Sequence, residues 1–137
     1  MASVLVVANR TAESPELLDA LRTRVLHGPC EFTLLIPSTP HGLAWAADPD
    51  AGHDEAEHHR QAFVEELREE GLNVREAKLG DPDPLAAICD ECNFHEYDEL
   101  IVSTLPLRLS KWLHIDLPRK AGAATGLPVT HVIGSEA

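Results

Sequence analysis

Residues Tyr97 to Ile133, YDELIVSTLPLRLSKWLHIDLPRKAGAATGLPVTHVI, hold an apolar run, a polar stretch, a helical pattern and a second apolar run, in that order. Leu100-Ile101-Val102 is the first run, and it breaks at Ser103-Thr104 into a polar loop. The helical pattern ends at Gly126, and Pro128-Val129-Thr130-His131-Val132-Ile133 closes the unit. Two strands joined through a helix read as parallel neighbours, because a parallel pair needs a crossover and the helix supplies it. Such a βαβ unit commits the chain to an α/β architecture, in which ligands sit beyond the carboxyl ends of the strands. Function is therefore expected in the loop that begins at Ser103.

The preceding residues repeat the same alternation. Residues 3 to 8 are almost continuously apolar and valine-rich, as a strand buried on both faces requires. Ser14-Pro15 reads as a cap and first helical position, with Leu17, Leu18, Leu21 and Val25 on one helical face and Gly28 at the end. Cys30 to Ile36 is a second strand stopped by Pro37. The stretch 37–52, rich in proline, glycine and small residues, is long for a connection, and loops of that length are usually functional or moving segments. A helix beginning at His53 or Asp54 runs through Ala62, Phe63 and Leu67 to Gly71. Residues 72 to 78 alternate loosely, which predicts a half-exposed strand near an edge. Gly80-Asp81-Pro82-Asp83-Pro84 is a turn, and Asp83 caps a helix from Pro84 to about Asn93. Five strands and four helices result, one doubly wound α/β domain over 1–137.

Charge narrows the range of partners. With 11 basic against 23 acidic residues the 137-residue chain carries a formal charge of -12, which repels phosphate backbones and argues against a nucleic-acid or anionic-membrane partner. A small phosphorylated ligand remains compatible, since backbone N–H groups and one or two cations can build a local pocket. No apolar run approaches the roughly 18 residues that cross a bilayer. The run at residues 3–8 is too short for a signal peptide, and three cysteines make no disulfide framework, so a cytoplasmic location is expected.

Four segments together resemble the universal stress protein family, over essentially the whole chain. They are Val4-Leu5-Val6-Val7-Ala8-Asn9, Gly80-Asp81-Pro82, Asp98-Glu99-Leu100-Ile101-Val102-Ser103-Thr104 and Gly126-Leu127-Pro128-Val129-Thr130-His131-Val132. The resemblance implies a five-stranded parallel sheet of order 3-2-1-4-5, with its switch point between the first and fourth strands and with Asn9 and Ser103 facing one crevice. Many family members bind ATP there through a loop of the form G-x-x-G, nine residues, G-S/T. Here Ser103-Thr104-Leu105-Pro106-Leu107-Arg108-Leu109-Ser110 occupies that position, with no glycine before Gly122. Glycines let amides approach phosphate without a Cβ in the way, and Pro106 has no N–H to offer. The hydroxyl residue of the pattern falls at Asp116 or Leu117, and the family's usual aspartate after the first strand is Asn9.

The resemblance therefore implies the family's fold but not its glycine-mediated ATP binding. No cofactor is expected, ATP and AMP being the nucleotides to test. The replacement, STLPLRLSKWLHIDLP, resembles a loop found in one branch of the family. Ser103, Thr104 and Ser110 supply hydroxyls, Arg108 and Lys111 supply charge, and Trp112 a stacking face. With Asn9 and Arg10 these residues form the candidate ligand site. The plainer alternative makes Trp112 and Leu113 core, Arg108 and Lys111 solvated, and Asp116 a helix cap with Pro118 in the first turn.

Other candidates are weaker. Cys89-Asp90-Glu91-Cys92, with His95 nearby, lacks a second ligand pair for zinc and falls near a helix end rather than its start, so Cys89 reads as core and Cys92 as incidental. His53, His58 and His59, with Glu55, read as an exposed helix face, and no metal site is expected. No Gly-x-Ser-x-Gly elbow or HExxH occurs, so the sequence does not directly support an enzyme. In the family the last strand commonly forms a dimer contact, which implies a homodimer through residues 128–133. The leading reading is a dimeric binding or regulatory module with a small-molecule or protein partner. A nucleotide-binding protein or weak nucleotide hydrolase using the same crevice is the alternative.

Overall fold

The valine-rich run near the amino terminus becomes the centre of the sheet. The computed structural model describes residues 1–8, 14–37, 61–80, 83–104 and 115–134. In it β1 (Ala2–Val7) pairs in parallel with β2 (Cys30–Pro37) on one side and β4 (Glu99–Thr104) on the other. Val4, Leu5, Val6 and Val7 are all fully buried, as a strand covered on both faces requires. β3 (Val74–Gly80) flanks β2 and β5 (Val129–Ile133) flanks β4, giving the order β3-β2-β1-β4-β5 with every pairing parallel. The doubly wound α/β fold is the one expected, and β3 and β5 are its edges.

Four helices among the described residues cover the two faces. α1 (Pro15–Leu26) and α2 (helical over 61–69) pack Leu17, Leu21, Phe63, Val64 and Leu67 against Val4, Val6, Phe32, Leu34 and Ile101. α3 (Pro84–Phe94) and α4 (Leu117–Thr125) pack Ala87, Ile88, Leu117 and Ala121 against Leu5, Val7, Leu35, Leu100 and Val102 on the other face. Neighbouring residues of each strand thus serve opposite cores, as the pleat dictates. Each large apolar side chain so buried contributes roughly 1.5–3 kcal/mol.

The helix starts follow the sequence in two cases and depart from it in a third. Ser14 accepts the Leu17 N–H at 3.2 Å and Asp83 accepts the Leu85 N–H at 3.0 Å, each followed by proline in the first turn. Asp116 precedes α4, with Pro118 in the first turn, but its side chain makes no capping bond. Its backbone is left-handed, at φ 57°, and its carboxylate pairs with Arg119 instead. Asp116 thus holds the cap position that the plainer alternative gave it, with Pro118 in the first turn, and that alternative is corrected only in the missing side-chain bond. α4 ends where predicted, at Gly126, whose φ of 73° suits glycine.

A second correction concerns β4. Ser103 and Thr104 are strand residues and not the start of a loop, because the ladder to β5 continues past Val102. Ser103 is in register with Val132 and Thr104 with Ile133, and the Gly134 N–H donates to the Thr104 carbonyl at 2.8 Å.

Candidate functional site

β1 and β4 lie side by side, yet their crossovers leave toward opposite faces, α1 to one and α4 to the other. Chains diverging from adjacent strands open a crevice beyond their carboxyl ends, the place where ligands bind in open α/β sheets. Val7 is the register partner of Val102, and beyond that pair stand Ala8, Ser103 and Thr104, all fully buried. The Ala8 N–H donates to the Leu35 carbonyl at 3.2 Å, which carries the ladder one residue past β1.

Of the predicted site residues, Ser103 and Thr104 are placed at this switch point. By alternation Ser103 belongs to the α1/α2 face and Thr104 to the α3/α4 face. Thr104 Oγ1 lies 2.8 Å from His131 Nε2, so its hydroxyl is turned toward β5. Asn9, Arg10, Arg108, Ser110 and Lys111 lie outside the described residues, as do Trp112 and Leu113, the histidines at 53, 58 and 59, and the stretch 38–52.

Beside the crevice, on the outer flank of β5, a groove of about 500 Å³ runs between β5 and α4. Pro118, Arg119, Gly122 and Ala123 form its helical wall, and Leu127, Val129 and His131 its strand wall. His131 is open to solvent along the strand edge, yet its ring sits deep enough in this angle that desolvation lowers its pKa.

A third group of polar residues was not singled out from the sequence. Glu91, on α3, is buried with its side chain 8% exposed. It accepts the Tyr97 hydroxyl at 2.7 Å and the Lys78 ammonium at 3.0 Å, while Lys78 also reaches Glu76 at 3.1 Å. Burial alone works to raise the Glu91 pKa, but the bonds from Tyr97 and Lys78 outweigh it and hold it below the ordinary range. Burial works against charge on Lys78, and its bonds to Glu91 and Glu76 raise its pKa regardless. Burial, with the bond to Glu91, pushes the Tyr97 hydroxyl well up. The signal lay in spacing, since Glu91 follows Ala87 and Ile88 by four and three residues and so shares their buried face. The cluster joins β3, α3 and the segment before β4, and it is a bolt of the fold rather than part of the crevice.

The cysteines are free thiols, Cys30 buried and Cys89 and Cys92 half-buried. The expectation that Cys89 is core is corrected: Cys92 packs against the α3/α4 core, Cys89 is half-buried, and the buried α3 residues are Pro84, Ala87, Ile88 and Glu91. Burial pushes the Cys30 and Cys92 thiols up, away from the thiolate that redox chemistry needs. Among the described residues no group of three or more His, Cys, Asp or Glu is arranged to hold a metal, and no helix is long and apolar enough to cross a membrane.

No protein-family model matches the sequence, and no curated protein matches it. Solved structures share the fold over nearly the whole chain. A universal stress protein family protein from Arabidopsis thaliana, with AMP bound, superposes with a TM-score of 0.67 at 17% identity, covering 98% of this chain and 93% of that one. A universal stress protein from Archaeoglobus fulgidus gives 0.64 at 19% identity, over 96% and 98% of the two chains. A universal stress protein in complex with cAMP gives 0.59 at 13% identity, over 98% of each. At these identities the likeness is one of fold, and that fold is the universal stress protein fold.

Proposed function

We propose that the chain is a cytoplasmic, universal stress protein-like binding or regulatory module of the stress response, whose crevice between β1 and β4 takes a small nucleotide without a glycine cradle for a triphosphate. The observation that carries this reading is the pairing of Val7 with Val102 at the point where the crossovers diverge, with Ala8, Ser103 and Thr104 forming a buried floor. Two structures of the same fold hold AMP and cAMP. The sequence supplies Asn9 and Arg10 directly after that floor, and Arg108, Ser110 and Lys111 shortly after Thr104. Side-chain cations and hydroxyls suit one phosphate. A triphosphate needs a run of amides, which the glycine-free stretch with Pro106 does not offer.

Two copies joined through residues 128–133 complete the proposal. β5 is an edge strand, and Ile133 is 54% exposed on it. A thermal-shift series with ATP, AMP and cAMP, followed by a turnover assay, tests the function. Stabilisation by AMP or cAMP without turnover is expected. Turnover would instead favour the hydrolase reading, and no shift with any nucleotide would favour a protein partner alone.

A further inference from the structure

The outer edge of β5 has a definite pattern of donors and acceptors. The Leu100 N–H donates to the Pro128 carbonyl at 3.0 Å, and the Gly134 N–H to the Thr104 carbonyl at 2.8 Å. In a parallel ladder of this register the even-numbered residues 128 to 134 turn their peptide groups toward β4, so Val129, His131 and Ile133 turn theirs outward. This edge is self-complementary under a twofold axis: an antiparallel copy set against it meets donors with acceptors. The register that engages all three residues places Val129 opposite Ile133 of the other copy and His131 opposite itself. A slip of two residues in either direction sets one of the three opposite a residue outside β5. In this -12 chain, Val129–Ile133 contains no Asp, Glu, Lys or Arg to oppose the contact.

We propose that the two His131 side chains meet on this twofold axis and make dimerisation pH-sensitive, the dimer holding with neutral imidazoles and weakening when they are protonated. The inference rests on the dimer put forward under the proposed function. Directly opposed residues of a hydrogen-bonded antiparallel pair lie about 5.5 Å apart at Cα, with side chains on the same face of the sheet. Thr104 holds each ring in place at 2.8 Å. Arg119, on α4, lines the same groove and is engaged by Asp116; β4 presents the neutral Thr104, and β5 contains no other titratable side chain. Protonation would therefore set two imidazolium charges against each other beside an arginine. Desolvation already disfavours the charged ring in the single copy, and covering the edge extends that effect. The response falls below the ordinary histidine value of about 6.5.

The remainder of the molecule works in the opposite direction. Acidification reduces the net charge of -12 and so relieves repulsion between copies, which makes dissociation on acidification specific to a local group. Sedimentation velocity of the full chain at pH 7.5 and 5.5, with circular dichroism confirming an intact fold, tests the proposal on wild type, His131→Gln and His131→Phe. Wild type is expected to be a dimer at pH 7.5 with a dissociation constant weakened about tenfold or more at pH 5.5, the two histidines each contributing at most about one decade for each pH unit below the pKa of the separate copy. Both variants are expected to show no such weakening. Wild-type dimers equally tight at both pH values, or variants that weaken in parallel with wild type, overturn the histidine inference and leave the dimer standing. A wild-type monomer at both pH values overturns the dimer itself.

Discussion

The Tyr97 hydroxyl donates a 2.7 Å hydrogen bond to Glu91 Oε1, and the carboxylate that accepts it is buried beneath α3. Lys78 reaches the same oxygen from β3 at 3.0 Å, so three segments of chain meet on one side chain. Replacing Glu91 with alanine leaves a phenol and an ammonium without their shared partner. The expected loss is about 2–3 kcal/mol, below the range for a fully buried ion pair because Lys78 is 30% exposed. Tyr97→Phe removes one bond and is expected to cost about 1–2 kcal/mol. Urea denaturation measures both; a Glu91→Ala midpoint equal to wild type contradicts the bolt.

The same carboxylate predicts a pH dependence. Its folded-state pKa is depressed, so its contribution is complete above the unfolded value of about 4.3 and is lost as pH falls through the lower folded value. The stability gap between wild type and Glu91→Gln is therefore expected to narrow on acidification below about pH 4. Denaturation midpoints of the two proteins between pH 3 and 6 measure it, and parallel curves contradict it.

Gly80 closes β3 where α3 comes near. A Cβ built there meets the Ala87 Cβ and the Leu35 Cδ1, each at 2.9 Å, closer than packed atoms accept. Leu35 can rotate, but the Ala87 Cβ is fixed to the helix. Gly80→Ala is expected to destabilise by about 1–3 kcal/mol through overpacking, measured by thermal or urea unfolding. An unchanged or raised midpoint contradicts it.

Thr104 and His131 join the crevice floor to the outer strand β5, the edge proposed for dimerisation. Thr104→Val keeps the shape and removes the hydroxyl that meets the imidazole at 2.8 Å, and it is expected to cost about 1 kcal/mol. Its more informative readout is the His131 titration by NMR, which is expected to move in the variant. A titration identical to wild type contradicts the contact.

Sequence made the frame legible wherever a local rule governs it. Val4 to Val7 announce a central strand because both faces are covered, and Ser14-Pro15 and Asp83-Pro84 announce helix starts because cap and proline act within one turn. What it missed depends on partners distant in the chain. Glu91 is polar beside Asp90, and burial becomes tenable only when Lys78 and Tyr97 arrive from other elements. Ser103 and Thr104 read as a loop because they are hydroxyl residues after an apolar run; pairing with Val132 and Ile133 makes them strand. Asp116 has the composition of a cap, but its left-handed backbone accompanies a side chain directed to Arg119.

The crevice beyond Val7 and Val102 is proposed to accept a nucleotide monophosphate without a main-chain cradle for a triphosphate. Isothermal titration of the full chain with AMP and with ATP, at matched ionic strength, tests it most directly. AMP is expected to bind, and ATP to bind no more tightly than AMP. ATP affinity more than tenfold above that of AMP would contradict the account.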